Sequence, residues 1–257
     1  MSALQIAVAL WTLVSKEVRR FTRIWPQTLL PPSITMTMYF IIFGNLIGAR
    51  IGDMDGFSYM DFIVPGLIMM SVITNSYSNV ASSFFSNKFQ RSIEEMMVSP
   101  MPNWVILAGF IFGGMARGLG VGLIVTLVSL FFTRISVTHP LLTIVVVVLT
   151  AALFSIGGFI NALLANKFDD ISIVPTFVLT PLTYLGGVFY SISLLPNFWQ
   201  GISMLNPILY MVNVFRYGFL GVSDIPVGWA LAAIVAFIVV LFGIALVMLE
   251  RGKGIRS

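Results

Sequence analysis

Six apolar segments recur along the chain, at Gln27 to Ile47, Ser58 to Phe85, Trp104 to Phe132, Leu141 to Leu164, Ile171 to Tyr190 and Val227 to Leu249. At about 1.5 Å per helical residue, runs of this kind have the length needed to cross about 30 Å of hydrocarbon. Lipid offers no partner to a bare N–H or C=O, so each run must satisfy its own backbone by forming a helix. The expected fold is therefore an all-α polytopic membrane protein, one transmembrane domain over residues 1–257. Composition agrees, because only 9% of residues are charged against 58% hydrophobic, too few to cover a soluble domain.

The same composition narrows the chemistry. There is no cysteine and one histidine, His139, so thiolate metal sites are absent and a histidine-built metal or acid–base centre is disfavoured. His139 precedes Pro140 and reads as a turn residue. No catalytic residue, metal ligand or cofactor is expected on this chain.

Ala3 to Val14 is apolar but lacks the basic start and small-residue cleavage site of a signal peptide. Its roughly 12 residues would rise about 18 Å, too little to span. Leu4, Val8, Trp11, Val18, Phe21 and Trp25 recur at helical spacing, while Gln5, Thr12, Lys16, Arg19, Arg20 and Arg23 take other faces. Residues 1–24 are thus predicted to form a basic amphipathic helix on the membrane surface.

Cytoplasmic flanks carry the excess of Lys and Arg. With the N-terminus inside, the inner flanks hold Lys16, Arg19, Arg20, Arg23, Lys88, Arg91, Lys167, Arg251, Lys253 and Arg256. The outer flanks hold only Arg50, Arg134 and Arg216. Both termini are therefore expected in the cytoplasm. Topology and anionic lipid then account for the basic balance, and no nucleic-acid partner is needed.

Two connections are long. Residues 87–103, NKFQRSIEEMMVSPMPN, have helix-forming residues through Met97 before Ser99, Pro100 and Pro102 stop them. On a helix Phe89, Ile93, Met96 and Met97 share one side, while Arg91, Glu94 and Glu95 point away, with Arg91 and Glu95 spaced as an i,i+4 pair. Such a helix suits a soluble partner, although an ordinary amphipathic loop has the same pattern. Residues 191–226 are too apolar for a solvated loop and are broken by Pro196, Gly201 and Asn206–Pro207, which fits two short helices dipping into the outer leaflet. Tyr190, Phe198, Trp199, Tyr210, Phe215 and Tyr217 would form an anchoring aromatic belt.

Polar residues inside spans mark the places where lipid is excluded. Ser71, Asn75, Asn79 and Ser82 or Ser83 fall on one face of the second span, where they can line a substrate path or bind helices together. Gly109, Gly113, Gly114, Gly118 and Gly122 permit a close helix contact in the third. Arg117 lies in the inner half of that span and is expected to snorkel or pair with a polar group, whereas Asp61 lies near water at the outer end of the second. Pro175, Pro181 and Gly186–Gly187 interrupt the fifth run.

Gly252-Lys253-Gly254 lacks the glycine-rich turn of a phosphate loop, so the chain does not hydrolyse nucleotide by that route. Clustered intramembrane acids and a repeat between the halves are missing as well. A membrane pathway of this kind takes its energy from a partner.

FIVPGLIMMSVITNSYSNVASSFF, KFQRSIEEMMVSPMP, FDDISIVPTFVLTPLTYLGGVFYS and LNPILYMVNVFRYGFLG resemble the type-2 permease family of ABC exporters, most closely the YadH-type inner membrane permeases, and the likeness covers essentially the whole chain. The resemblance implies a six-helix permease of the bacterial inner membrane that forms a homodimer. It also implies two copies of a separate ATPase subunit, which bind the ATP. The N-terminal helix would be a connecting helix. Phe89 to Val98 would be a coupling helix, with Phe89, Gln90, Arg91, Ile93, Glu94 and Glu95 against the ATPase. Ser71, Asn75, Asn79 and Ser82 are the candidate pathway residues. Membrane lipid surrounds the chain, and the cargo is an amphiphilic, drug-like or glycan- or lipid-linked molecule. The alternatives from the residues alone are an ion-coupled secondary transporter working through Asp61, or a non-transporting membrane enzyme or scaffold with His139 as its one histidine.

Overall fold

The computed structural model describes residues 2–54, 56–134, 136–252 and 254, so Lys253 and Arg256 of the C-terminal basic flank lie outside the described residues. Helix α1 (Ala3–Arg23) opens with a capping box, the Ser2 hydroxyl accepting from the Gln5 N–H while the Gln5 side chain accepts from the Ser2 N–H. Arg20 and Arg23 in its last turn suit the negative end of the helix.

A broken run follows: α2 (Trp25–Thr28), α3 (Leu30–Tyr39), a π-helical stretch (Phe40–Ile47) and α4 (Gly48–Ile51). Pro26 and Pro31 each enter in a first turn, where a missing N–H costs nothing. Strands β1 (Asp53–Met54) and β2 (Phe57–Ser58) pair antiparallel and lead into α5 (Tyr59–Phe89), which Ser58 caps through the Asp61 N–H. Then come α6 (Ser92–Val98), α7 (Asn103–Ser129) and α8 (Pro140–Leu164). The next segment comprises α9 (Asp170–Val174), a π turn (Pro175–Leu179) and α10 (Thr180–Leu185). A 3-10 turn (Ile192–Leu194), α11 (Asn197–Met204), α12 (Pro207–Leu220) and α13 (Val227–Glu250) complete the order.

Among the described residues, five helices are long and apolar enough to cross a bilayer: Trp25–Ile51, Tyr59–Phe89, Asn103–Ser129, Pro140–Leu164 and Val227–Glu250. The fifth predicted run is shorter than expected. Its helix closes at Leu185 because Gly187 takes a left-handed φ of 72°, so Asp170–Leu185 rises only about 24 Å. Val188 and Phe189 continue as buried non-helical chain, and Gly66 of α5 lets the Val188 carbonyl come close, since a Cβ there would lie 2.5 Å from its oxygen.

Helix α5 is the axis of the bundle. It packs on α7, α8 and α12 and is buried over most of its length, whereas α13 and the Trp25–Ile51 run leave most of their apolar surface open. One core cluster joins α5 to α8, α12 and the first half of α13 through residues such as Phe62, Ile73, Val212 and Ile234. A second joins Phe84, Ile93, Phe110, Leu163 and Leu249, which gathers α6, the start of α7, the end of α8 and the end of α13 at one end of the bundle.

Two expectations change in detail. The buried face of α1 is Leu13, Glu17 and Phe21, while Leu4, Val8 and Trp11 face outward, so the helix packs its second half against α7 and hydrogen-bonds to α5 instead of only lying on a surface. Arg216, counted above with the outer flank, is 1% exposed: it sits on α12 with its guanidinium 3.8 Å over the Phe62 ring. His139 occupies the turn before α8, its N–H donating to the Gly218 carbonyl at 2.8 Å and its ring stacked on Tyr217.

Candidate functional site

The chain turns sharply between α5 and α6. Arg91 has a φ of 58°, an unusual left-handed state for a residue with a side chain, and it ends α5 before α6 begins at Ser92. The predicted helix from Phe89 is therefore shorter. Phe89 closes α5 and stays exposed, its ring 5.0 Å from that of Phe168, which in turn lies edge-on to Phe85. Because Arg91 stands outside the helix, the expected pair with Glu95 is not formed, and the one ion pair among the described residues joins Arg20 to Glu17. Ile93 is wholly buried, and Met96 and Met97 pack against the second core, which holds α6 on the bundle. Gln90, Arg91, Glu94 and Glu95 remain exposed.

Hydrogen bonds run from α6 into the bundle. The Ser92 hydroxyl reaches both the backbone and side-chain oxygens of Asn87 at 3.1 Å, and the Asn87 side-chain oxygen also accepts from Lys16 of α1 at 3.0 Å. One turn along α5, the Ser83 hydroxyl donates to Glu17 Oε2 at 2.6 Å. A further turn on, Arg20 Nη2 donates to Asn79 Oδ1 at 2.7 Å, while its Nε lies 3.3 Å from Glu17 Oε2. Finally Arg117 of α7 donates to Asn75 Oδ1 at 3.4 Å and to the Thr28 carbonyl at 3.5 Å. Asn75, Asn79, Ser83 and Asn87 are each four residues apart, so they stand in one row on α5, and every rung reaches α1 or α7.

Glycines bring the helices close enough for these rungs. At Gly109 a Cβ would meet Leu13 at 2.7 Å, and at Gly113 it would run into the Glu17 side chain. Larger residues there would push α1 away from α7 and lengthen each bond.

Of the four pathway candidates, Asn75 and Asn79 belong to this ladder, and both are buried against protein. Ser71 donates to the Ile68 carbonyl and Ser82 to the Ser78 carbonyl, so each is satisfied by its own helix. Glu17 is the residue that the pattern analysis missed. It is 1% exposed, and burying a carboxylate is costly unless hydrogen bonds and a cation compensate. Leu13, Glu17 and Phe21 are spaced i, i+4, i+8, a signal that places this acid on an apolar face.

Close to α6, the Lys88 ammonium donates to the Leu163 and Ala165 carbonyls at 2.9 and 2.5 Å, capping the negative end of α8. Asp170 accepts from the backbone N–H groups of Asn166 and Lys167, and these bonds hold its carboxyl below the usual carboxylate range. At the opposite end Asp61 accepts from the hydroxyls of Ser58 and Thr133, a capping role that ties α5 to the segment after α7. The ladder carries no nucleophile–base pair, and it joins α6 to buried charge between α1, α5 and α7.

Comparison with known proteins gives this arrangement a family. Residues 8–220 match the ABC-2 type transporter family. The inner membrane transport permease YadH of Escherichia coli K12 is 62% identical over 250 residues, covering 97% of this chain and 98% of that protein. Nodulation protein J of Rhizobium meliloti is 25% identical over 218 residues, covering 83% of this chain and 82% of that one. Nodulation protein J of Sinorhizobium fredii is likewise 25% identical, over 206 residues. A helical bundle with apolar spans, matched over nearly its whole length by an inner membrane permease, belongs to the ABC-2 type transporter family and is the multi-pass membrane permease subunit of an ABC transporter.

Proposed function

We propose that the chain works as a homodimer driven by two copies of a separate ATPase, each docking on α6, and that both termini and α6 lie in the cytoplasm. Counting residues 171–185 together with the non-helical chain to Tyr190 as a sixth crossing gives an even number of spans. The ends of α1 and α13 then fall on the side of α6, where Lys16, Lys88 and Arg251 also lie. The open apolar faces of the Trp25–Ile51 run and of α10 are available to a second copy.

The observation that carries this reading is the row of bonds along one face of α5, where Asn87, Ser83 and Asn79 bond to Lys16, Glu17 and Arg20 of α1 and Asn75 to Arg117 of α7, with Ser92 of α6 on Asn87. A push on α6 by a closing ATPase would be passed to α1 and α7 as one body, because a hydrogen-bonded, close-packed joint moves rigidly. The exposed Arg91, Glu94 and Glu95 would meet the ATPase, and Asn75 and Asn79 would bring the motion to the pathway. The cargo is an amphiphile, and membrane lipid covers the remaining apolar surface.

Co-reconstitution with the partner ATPase tests the reading. Reversing charge at Glu94 and Glu95 should abolish stimulated hydrolysis while the permease keeps its thermal unfolding temperature. ATPase binding that survives deletion of Ser92 to Val98 overturns the docking site.

A further inference from the structure

Two guanidinium groups are held on neighbouring turns of α5. Arg20 donates from Nη2 to Asn79 Oδ1 at 2.7 Å, and Arg117 donates from Nη2 to Asn75 Oδ1 at 3.4 Å. Asn75 and Asn79 are four residues apart, so the two anchors lie about 6 Å from each other along the helix. Like charges this close repel unless an anion stands between them. Glu17 is the one carboxylate on α1, α7 carries none, and Asp61 stands at the far end of α5. Glu17 Oε2 is taken by Ser83 and Arg20, and Arg117 forms no ion pair among the described residues. Arg117 has neutral partners instead, the Asn75 amide and the Thr28 carbonyl, both at the long end of hydrogen-bonding range. An arginine inside a span without an acid to pair with marks a functional site by default, because unpaired charge is costly there.

The atoms that a ligand would meet are the two Nη1 groups. Arg117 Nε is shut in among protein atoms. Nη1 of Arg117 and Nη1 of Arg20 make no hydrogen bond among the described residues, and neither is shut in. The way in lies at the elbow where α1 turns into α2 and α3, because Thr28 of that elbow bonds Arg117. One turn along α7 from Arg117, Gly120 faces open space, with nothing within 4 Å of where a Cβ would stand. Ile24, Trp25 and Leu30 flank the elbow and are 41, 53 and 44% exposed. Cations set behind open apolar side chains suit a molecule with an anionic head and an apolar tail, whereas a free aqueous anion gains nothing from Ile24, Trp25 and Leu30.

We infer that Arg20 and Arg117 together bind the phosphate of an anionic amphiphile, which enters from the membrane at the elbow and lays its apolar chain against Ile24, Trp25 and Leu30. Each Nη1 donates to a phosphate oxygen, and charge-assisted bonds from guanidinium to phosphate are among the strongest that side chains make. The bound anion separates the two cations and supplies the negative charge that Glu17 does not give Arg117. Binding of this kind needs no ATPase. Measured on the permease alone, it is read separately from the docking of an ATPase on α6.

The test is equilibrium binding of radiolabelled phosphatidylglycerol to the full chain in a neutral detergent, with radiolabelled phosphatidylcholine as the comparison. Saturable binding of one phosphatidylglycerol per chain is expected, about tenfold tighter than phosphatidylcholine. Arg117→Gln and Arg20→Gln should each weaken it about tenfold, the loss of one charge-assisted contact. Arg19→Gln and Arg23→Gln remove exposed bases of α1 outside the pair and should change it by less than about twofold, which separates this site from general attraction to a basic helix. If Arg117→Gln does not fold, Arg117→Lys keeps the charge without the planar fork and should still weaken binding about threefold. Inorganic phosphate exchanged for chloride at fixed ionic strength should not compete. Competition by inorganic phosphate would make the occupant a free anion and overturn the inference, as would equal affinity for the two lipids or equal losses in Arg19→Gln and Arg117→Gln.

Discussion

Ser83 donates to the carboxylate of Glu17 at 2.6 Å, from one helix to another, with both residues 1% exposed. A buried acid held in this way is sensitive to each partner separately. Ser83→Ala should cost about 1.5–3 kcal/mol, the range for a hydrogen bond to a charged group. Glu17→Ala should cost a similar amount, since Arg20, one-third exposed, regains water when its partner is lost. Thermal unfolding in detergent measures the loss, and both variants should also lower ATPase stimulation beyond what residual folded protein explains. A Glu17→Ala chain with unchanged unfolding temperature would contradict the buried joint.

Ile93 and Glu94 separate anchoring from docking on one short helix. Ile93→Ala removes a wholly buried side chain and should destabilise the α6 end by about 2–4 kcal/mol. Glu94→Lys touches no buried group and should leave stability within about 0.5 kcal/mol. Unfolding curves of the two variants, taken beside ATPase binding, should show opposite patterns: one loses stability and the other loses the partner.

How much of this was legible in residues alone differs from place to place. The five long helices and the polar row on α5 follow from apolar length and from a four-residue period, because both are properties of residue type at fixed spacing. Glu17 was hidden by its neighbours, since Lys16, Arg19 and Arg20 make the segment read as solvated charge while its own register with Leu13 and Phe21 points inward. Arg216 misled in the same manner: Leu209, Val212 and Phe219 share its face, and all are buried. The start of α6 was not legible, because a left-handed Arg91 follows from the packing of Ile93 and the Ser92–Asn87 bonds and not from any preference of arginine. Gly186–Gly187 marked a break, but which glycine would turn left-handed depends on tertiary contacts, the Arg216 bond to the Gly187 carbonyl and the approach of Val188 to Gly66.

Asp170 gives a pH dependence with a definite sign. Its carboxyl is held below the ordinary range by the Asn166 and Lys167 N–H groups, so the folded state favours the charged form. The stabilisation is present above the unfolded carboxylate value of about 3.9 and is lost as pH falls through the lower folded value. The protection factors of the Asn166 and Lys167 amides, in which the intrinsic pH dependence of exchange is divided out, should therefore be high at neutral pH and fall in strong acid. In Asp170→Ala they should be low at neutral pH as well.

Arg216 allows no conservative replacement. Its guanidinium carbon lies 3.8 Å from the centre of the Phe62 ring, and the group donates to the Gly187 carbonyl at 2.5 Å and to the Phe62 carbonyl at 3.4 Å, and so clamps α12 and the left-handed turn onto α5. Lysine carries the charge but not the planar fork, and an ammonium cannot stack and reach both carbonyls at once. Arg216→Lys should lose about 2 kcal/mol or more, the cation–π contribution of a desolvated site together with one charged hydrogen bond. Phe62→Leu keeps the apolar volume and the carbonyl and should lose only the ring contribution, about 1–2 kcal/mol. Equal losses in the two variants would mean that the stacked ring, and not the donated hydrogen bonds, holds the turn. The ordering predicted here, with Arg216→Lys the worse, assigns the closure of the Asp170–Leu185 segment to the fork, because Gly187 is where that segment stops being helical and the guanidinium is what fixes its carbonyl.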